Sequence, residues 1–305
     1  MKSDLFSKIK KDIKQNKSLY ILVLPVLIFY IIFHYKPMYG AIIAFMDYNP
    51  RLGIKGSEWV GFAQFTRFFQ SPYFTRILRN TILLSVYGIA FGFPAPIILA
   101  LLLNELKQKK IKKTVQTATY LTHFISLVVV TGIIKEFTQS TGLINDIIEF
   151  FGGTRTSLIQ NPALYRTIYI TSDIWQEIGW GSIIYLAALS GIDEQLYEAA
   201  SIDGANRWEK LIHVTLPGIS TTIIIMLILR LGQILGSSYE KTILLYNEAT
   251  YETADVIASY IYRVGILERN WSYSTAIGLF NSCINFIFLL LANKLSKKVS
   301  ETSLW

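Results

Sequence analysis

The sequence predicts an all-α integral membrane protein with six spanning helices. Two long stretches, Asn80–Asn104 and Trp271–Asn293, contain no charged residue, and each is long enough to cross about 30 Å of hydrocarbon as a helix. Hydrophobic residues make up 52% of the chain and charged residues only 16%, whereas soluble domains average about 25% charged residues. Long apolar runs without strict alternation favour helices over the strands of a barrel.

The other spans are assigned from shorter or interrupted apolar runs. The first begins near Leu19 and extends past Lys36 toward Phe45. The second coincides with Asn80–Asn104, where Pro94 and Pro96 predict a kink. The last four are predicted at about Val115–Ile134, Tyr169–Leu189, Ile219–Ser238 and Tyr273–Leu291.

Lysine clusters orient the predicted bundle. They occupy the N-terminus, the loop between the second and third spans (Lys107 to Lys113) and the C-terminus from Lys294. The positive-inside rule places all three in the cytoplasm. We therefore predict a cytoplasmic N-terminus at 1–17, a transmembrane domain at 18–294 and a cytoplasmic tail at 295–305. The net charge of +8 flanks the spans instead of forming one basic face, which disfavours nucleic acid as a partner.

Sequence motifs for catalysis and metal binding are missing. The chain has no Gly-x-x-x-x-Gly-Lys-Ser/Thr loop, no Gly-x-Ser-x-Gly and no His-Glu-x-x-His, so we expect no ATPase site and no enzymatic activity in it. His34, His123 and His213 lack metal-ligand spacing, and Cys283 is the single cysteine. We expect no metal site, no disulfide within the chain and no cofactor of its own.

A polar stretch within the loop 190–218 separates the fourth and fifth predicted spans. It predicts two short helices joined at Gly204, where a residue without Cβ permits a turn. Asp193 and Glu194 favour the start of the first helix. Pro217 is expected to open the next apolar run. A compact helical hairpin here indicates a docking surface on the cytoplasmic side.

This loop resembles the EAA loop of permease subunits of ABC importers. The resemblance implies a type I importer permease fold, with the loop docked in a cleft of a separate ATPase subunit. It also implies two ATPase subunits that bind ATP and Mg, a second permease in a heterodimer, and an extracytoplasmic binding lipoprotein. The residues that carry the resemblance, with Trp208 added as an aromatic anchor of the ATPase contact, are Glu198, Ala199, Ala200, Asp203, Gly204, Ala205, Trp208, Leu216 and Pro217.

Motifs elsewhere resemble the carbohydrate-uptake branch of these permeases. They include Trp59–Phe65 before the second span and Trp175–Trp180 in the fourth, and Lys36–Ala41 is similar to the LplB-like polysaccharide permeases. The resemblance implies uptake of oligosaccharides or polysaccharide fragments across a bacterial plasma membrane. The alternative is a secondary transporter or channel for a polar solute, but such proteins usually show internal repeats, and residues 1–150 and 151–305 show none.

The fourth and fifth predicted spans carry the candidate substrate-binding residues. Asp173, Glu177 and Trp180 follow at i, i+4 and i+7, so they share one helical face. The fifth span carries Arg230, Gln233 and Ser237 at i, i+3 and i+7, and these positions, with Glu177 and Trp180, align with sugar-site residues of maltose-type relatives.

Two interpretations of these polar residues stay open. Ionisable groups at this depth are costly and normally face a cavity or a partner. In the first, Glu177 and Arg230 form an ion pair that packs the bundle. In the second, they line a cavity in which Arg230 binds a uronate carboxylate. The two are compatible, because a pair beside a cavity can open toward substrate. The second interpretation predicts an acidic cargo, such as a pectin-derived fragment, whereas the first is compatible with neutral oligosaccharides.

Overall fold

The computed structural model describes residues 12, 14–236 and 238–300, with side chains up to 297. Most of the basic N-terminal region predicted at 1–17, the end of the predicted tail and the candidate site residue Ser237 lie outside the described residues. Within the described part the chain is helical, apart from a two-stranded antiparallel pair, Met46–Asp47 with Glu58–Trp59, in which Met46 faces Trp59. The predicted all-α class is confirmed.

Five helical segments among the described residues are long and apolar enough to cross a membrane: Lys17–Phe45, Phe74–Glu105, Leu127–Phe150, Arg207–Leu231 and Trp271–Lys297. The α-helices span Lys17–Tyr30, Lys36–Met38, Gly53–Gly56, Ala63–Phe69, Phe74–Tyr87, Pro94–Glu105, Lys109–Leu121, Leu127–Thr138, Leu143–Phe150, Pro162–Ser190, Glu194–Ile202, Arg207–Lys210, Leu216–Leu231, Tyr239–Leu245, Tyr251–Ala254, Ile257–Tyr262 and Trp271–Ser300. Short 3-10 turns lie at Tyr39–Phe45, Thr122–Phe124, Leu158–Gln160 and Glu248–Thr250.

Wider π-helical turns precede three of the prolines. The turns Ile31–Tyr35, Gly88–Gly92 and Leu211–Thr215 come before Pro37, Pro94 and Pro217, and a fourth turn, Arg263–Leu267, has no proline after it. In the second segment the Phe93 N–H donates to the Gly88 carbonyl at 2.9 Å, five residues back. A proline has no N–H and crowds the carbonyl of the preceding turn, and a wider turn relieves that crowding.

The helix Pro162–Ser190, here called the central helix, organises the bundle. The Asn161 side chain caps its start by accepting from the Ala163 N–H, and proline suits its first position. Small residues let neighbours approach closely, because a Cβ at Gly179 would lie 2.2 Å from the Thr119 carbonyl oxygen and one at Gly181 would lie 3.1 Å from Pro96. Close approach at small residues is typical of helix packing in membranes.

The predicted third span, Val115–Ile134, is wrong as one continuous helix. The chain forms Lys109–Leu121, breaks at residues 122–126, and resumes as Leu127–Thr138 with Ser126 as its N-cap. The break is held against the central helix: the Thr122 hydroxyl donates to the Gln176 carbonyl at 3.1 Å, and Gln176 donates to the Ile125 carbonyl at 3.2 Å. These bonds replace the helical bonds lost at the break.

The predicted fifth span also has different ends. Pro217 stands at the start of the α-helix Leu216–Leu231, as predicted, but this helix continues directly from the second helix of the hairpin through the turn Leu211–Thr215. At the other end the helix stops at Leu231, not Ser238, and bonds of the tighter i to i+3 type follow from Gln233 and Ile234. The Leu235 N–H is then held by the Asn285 side chain at 2.9 Å.

Candidate functional site

A cavity of about 330 Å³ lies beside the middle of the central helix. All the predicted substrate-binding residues that the structure describes, namely Asp173, Glu177, Trp180, Arg230 and Gln233, contribute to its wall. Gln233 does so from the turn after the helix rather than from the helical face on which the sequence placed it. The cavity is continued by a smaller space of about 140 Å³ that shares Asp173, Arg230 and Gln233.

Trp180 and Glu177 both contact His123, which comes from the break in the predicted third span. The His123 ring stacks on Trp180 with centroids 4.6 Å apart and an interplanar angle of 2°. The His123 Nδ1 lies 2.9 Å from the Glu177 Oε2. His123 thus covers one face of the indole, while 45% of Trp180 stays exposed and can stack on a sugar ring.

The ion pair between Glu177 and Arg230 that the sequence left open is not formed. Glu177 pairs with His123 instead, and none of the ion pairs among the described residues involves Arg230. Arg230 is exposed in the cavity wall. Its guanidinium lies against Gly88, where an added Cβ would be 3.2 Å from Nη2. The structure therefore shows no Glu177–Arg230 pair, and the Arg230 guanidinium lines the cavity without a carboxylate partner among the described residues.

Lys241 is a second cation at this site, which the sequence analysis missed. It is 1% exposed, and its Nζ donates to the Asp173 Oδ1 at 2.8 Å and to the Tyr169 carbonyl at 3.0 Å. Burial lowers the pKa of Lys241, and the Asp173 carboxylate opposes that effect. The pair neutralises Asp173. No local sequence motif indicates the Lys241–Asp173 pair, because the two residues are 68 positions apart in the chain.

The cytoplasmic hairpin predicted from the sequence is a compact helical element. Its first helix, Glu194–Ile202, is capped by Asp193, which accepts from the Gln195 N–H at 3.0 Å. The helix ends in a Schellman motif, because the Ala205 N–H donates to the Ala200 carbonyl at 2.9 Å and the Gly204 N–H donates to the Ser201 carbonyl at 3.2 Å. Gly204 has φ +80°, so the turn requires the conformational freedom that the sequence predicted for it.

The second hairpin helix begins at a capping box that the sequence analysis missed. Asn206 accepts from the Glu209 N–H, and the Glu209 carboxylate accepts from the Asn206 N–H. The pattern Asn-x-x-Glu is a readable signal for it. Two side-chain bonds join the halves: Lys210 donates to the Ser201 hydroxyl at 2.8 Å, and the Tyr197 and Thr215 hydroxyls lie 3.0 Å apart.

The hairpin presents apolar residues outward instead of packing them on the bundle. Trp208 is 71% exposed and Ile202 86% exposed, and Glu198, Ala199, Asp203, Gly204 and Pro217 are exposed as well. Ala200, Ala205 and Leu216 are half-buried. A rigid element with an exposed indole is suited to contact another protein.

Residues 76–301 match the family model of the binding-protein-dependent transport system inner membrane component. The chain belongs to this family. It is therefore the permease subunit of an ABC importer, a multi-pass membrane protein without its own ATPase, and the ATPase is a separate partner. Family membership excludes the alternative of a secondary transporter or channel.

Two curated relatives from Bacillus subtilis (strain 168) are similar over nearly the whole permease. The polygalacturonan/rhamnogalacturonan transport system permease protein YteP is 44% identical over 95% of this chain and 91% of its own length. The protein LplB is 44% identical over 96% of this chain and 92% of its own length. The resemblance to LplB-like permeases is thereby confirmed.

A solved structure of a bacterial ABC transporter involved in the import of the acidic polysaccharide alginate contains a chain with the same fold. That chain is 44% identical, with a TM-score of 0.89, and the match covers 96% of this permease and 99% of that chain. An equal match is found in that transporter in complex with a periplasmic protein bound to alginate pentasaccharide. The predicted importer permease fold is confirmed.

Proposed function

We propose that this permease imports acidic oligosaccharides, such as pectin-derived fragments rich in uronates. The observation that carries the proposal is Arg230, which lines the central cavity without an ion-pair partner among the described residues. A guanidinium binds a carboxylate through two parallel hydrogen bonds, and Trp180 lies in the same wall to stack on an adjacent sugar ring. The names of YteP and of the alginate transporter support an acidic cargo.

The cargo test compares an oligogalacturonate with its methyl-esterified form, which has the same rings without the charge. In proteoliposomes that contain the complete transporter, Arg230→Gln is expected to lower uptake of the acidic form about tenfold or more, because a hydrogen bond to a charged group contributes about 1.5–3 kcal/mol. Uptake of the ester should change little. Arg230→Lys keeps the positive charge but cannot form two parallel hydrogen bonds to a carboxylate. Its uptake of the acidic form should therefore lie between that of wild type and that of Arg230→Gln. Equal uptake of the acidic form by wild type and Arg230→Gln contradicts the proposal.

The central helix is proposed as the sixth span, in addition to the five apolar segments. Its 29 residues extend about 44 Å as a helix, which exceeds the hydrocarbon thickness. Its carboxylates Asp173 and Glu177 face the cavity rather than lipid, and Arg166 near its start donates to the Asn80 side chain, as the cost of ionisable groups in a membrane requires. Six spans place both termini and the hairpin in the cytoplasm.

Accessible tags test this topology. A tag before Lys2 and one after Trp305 should be shielded in intact cells, whereas tags near Gly152 or Glu248 should be labelled from outside. Labelling of either terminal tag without permeabilisation contradicts the span count or the orientation. The same orientation places the loops around residues 46–73 and 239–270 on the extracytoplasmic face.

The hairpin is proposed to couple ATP hydrolysis to transport. Exposed Glu198 and Trp208 are proposed to contact one of two ATPase subunits, which hold ATP and Mg. The assembly is completed by a second, different permease and an extracytoplasmic binding lipoprotein that delivers the cargo. Glu198→Lys should weaken copurification of the ATPase with membrane insertion intact, and full copurification of that variant contradicts this contact.

A further inference from the structure

A second and larger concave site lies far from the central cavity, and none of the site residues discussed above contributes to it. Its volume is about 980 Å³, at the upper end of the range for ligand pockets. We call it the basic pocket. It is formed by the helix Ala63–Phe69, the start of Phe74–Tyr87, the segment 251–268 and Tyr273 at the start of the last helix. These elements are loops that the proposed topology places outside, together with the outer ends of two proposed spans.

Three arginines line the basic pocket, and a single buried carboxylate holds two of them. Asp255 is 0% exposed and accepts from Arg263 at 3.2 and 2.7 Å, from Arg76 at 3.1 Å and from the Ser259 hydroxyl at 2.9 Å. The side chains of Arg76 and Arg263 keep 32% and 21% of their surface exposed. Asp255 thus fixes two guanidiniums in place while it neutralises only one charge.

Arg67 adds a third guanidinium with no ion pair among the described residues. Its Cζ lies 4.6 Å from the centroid of the Tyr273 ring, and Arg67 is exposed. Stacking on an aromatic ring uses the flat face of the guanidinium, so the N–H groups along its edge remain free to donate. The one other carboxylate in the wall is the exposed Glu268, which leaves the pocket with a cationic lining.

The rest of the lining contains aromatic rings beside these cations. Tyr73 lies under Arg76 at 5.0 Å, and Tyr260 lies under Arg263 at 5.3 Å. Tyrosines combine an apolar ring face with a polar hydroxyl, which suits a ligand with C–H faces and hydroxyl groups. The combination of fixed guanidiniums with tyrosine rings fits a saccharide that carries carboxylates.

We propose that the basic pocket is an outer binding site for the uronate oligosaccharide, occupied before the cargo reaches the central cavity. The inference rests on the proposed acidic cargo. Arg76 and Gly88 lie on the same helical segment, Phe74–Glu105, so a rise of about 1.5 Å per residue separates the two sites by about 18 Å along it. Arg67 binds a carboxylate of the cargo, and Arg76 and Arg263 bind another.

The experiment uses the complete transporter in lipid nanodiscs, without nucleotide and without the binding lipoprotein. Binding of a galacturonate pentamer and of its methyl-esterified form is measured for wild type, Arg67→Gln, Arg230→Gln and the double variant. Arg67 is exposed, so its replacement should leave the melting temperature unchanged. Arg79→Gln is the control, because Arg79 is also an exposed arginine but belongs to the neighbouring helix Phe74–Tyr87 and does not line the pocket.

Arg67→Gln is expected to weaken binding of the acidic pentamer at one class of site about tenfold or more, with the ester and the Arg79→Gln control unaffected. Arg67→Gln and Arg230→Gln should weaken binding of the acidic pentamer at two separate sites. In the double variant the two losses of binding free energy should therefore add. If Arg230→Gln lowers acidic binding and Arg67→Gln does not, the outer site is wrong and the proposed function stands. If neither variant changes binding of the acidic pentamer, the outer site and the proposed acidic cargo are both wrong. Capture of the ligand-free lipoprotein by the same nanodiscs is measured separately. If Arg67→Gln weakens this capture and leaves binding of the acidic pentamer unchanged, the pocket is a protein-docking surface and the inference is overturned.

Discussion

Replacement of Gly204 by proline should uncouple transport while the membrane domain stays folded. Gly204 has φ +80° and donates its N–H to Ser201. Proline locks φ near −65° and has no N–H. Holding the backbone in a region that proline does not favour costs about 1–3 kcal/mol, and the lost hydrogen bond costs about 1 kcal/mol. The sum, about 2–4 kcal/mol, shifts the equilibrium roughly 30- to 700-fold away from the closed hairpin turn.

Few contacts within the hairpin can offset the free-energy cost of Gly204→Pro. Its halves are joined by the Lys210–Ser201 and Tyr197–Thr215 contacts, which contribute about 1 kcal/mol each. The exposed Trp208 adds no packing on the bundle. We therefore expect Gly204→Pro to abolish ATP-dependent uptake and to lower ATPase copurification, with normal insertion.

Gly152 provides a matched control in a loop proposed to lie outside. It has φ +83°, it also ends a helix in a Schellman motif, and an added Cβ would meet nothing within 4 Å, as at Gly204. Gly152→Pro imposes the same local cost away from the ATPase, so uptake should persist. Full uptake by Gly204→Pro, or equal loss in both variants, refutes the argument that the hairpin is the coupling element.

Two further predictions concern packing and charge in the bundle. Gly179→Ala places a Cβ 2.2 Å from the Thr119 carbonyl oxygen, so it should destabilise the bundle by about 1–3 kcal/mol and lower its melting temperature. Gly132→Ala is the control, because an added Cβ there has nothing within 4 Å and the melting temperature should not fall. Equal melting temperatures of the two variants contradict the close packing at Gly179. Lys241→Met leaves the Asp173 carboxylate without its partner. Because 40% of the Asp173 side chain is exposed in the cavity wall, we expect a loss of about 1–3 kcal/mol. Asp173→Asn combined with Lys241→Met should restore much of that loss, so additive losses in a double-mutant cycle contradict the pair.

The parts of the fold that depend on local composition could be predicted from the sequence. Asn80–Asn104 and Trp271–Asn293 lie within helical segments that are long and apolar enough to cross a membrane, because an uncharged run of that length needs no tertiary information. The Gly204 turn was predictable for the same reason, since its requirement is local. Asp173, Glu177 and Trp180 meet at one cavity because helical periodicity fixes which side chains share a face, whereas Gln233 reaches that cavity from the turn after Leu231.

Long-range pairing is what the sequence could not supply. Lys241 reaches Asp173 across 68 residues, and His123 reaches Glu177 across 54. The apolar run at Val115–Ile134 concealed the break at residues 122–126, because the hydrogen bonds that compensate for it come from the central helix. The sequence left a Glu177–Arg230 ion pair open because it did not reveal that His123 reaches Glu177.

The link from Pro94 to the cavity shows how a local rule and a long-range contact combine. Pro94 lacks an N–H, and the chain before it forms the π-helical turn Gly88–Gly92. Gly88 lies in the walls of both central spaces, and it has no side chain where a Cβ would crowd the Arg230 guanidinium. A widened turn is a frequent feature of functional sites. From Pro94 the sequence predicted only a kink. In the structure the turn before Pro94 contains Gly88, and the absence of a Cβ at Gly88 leaves space for the Arg230 guanidinium in the cavity wall.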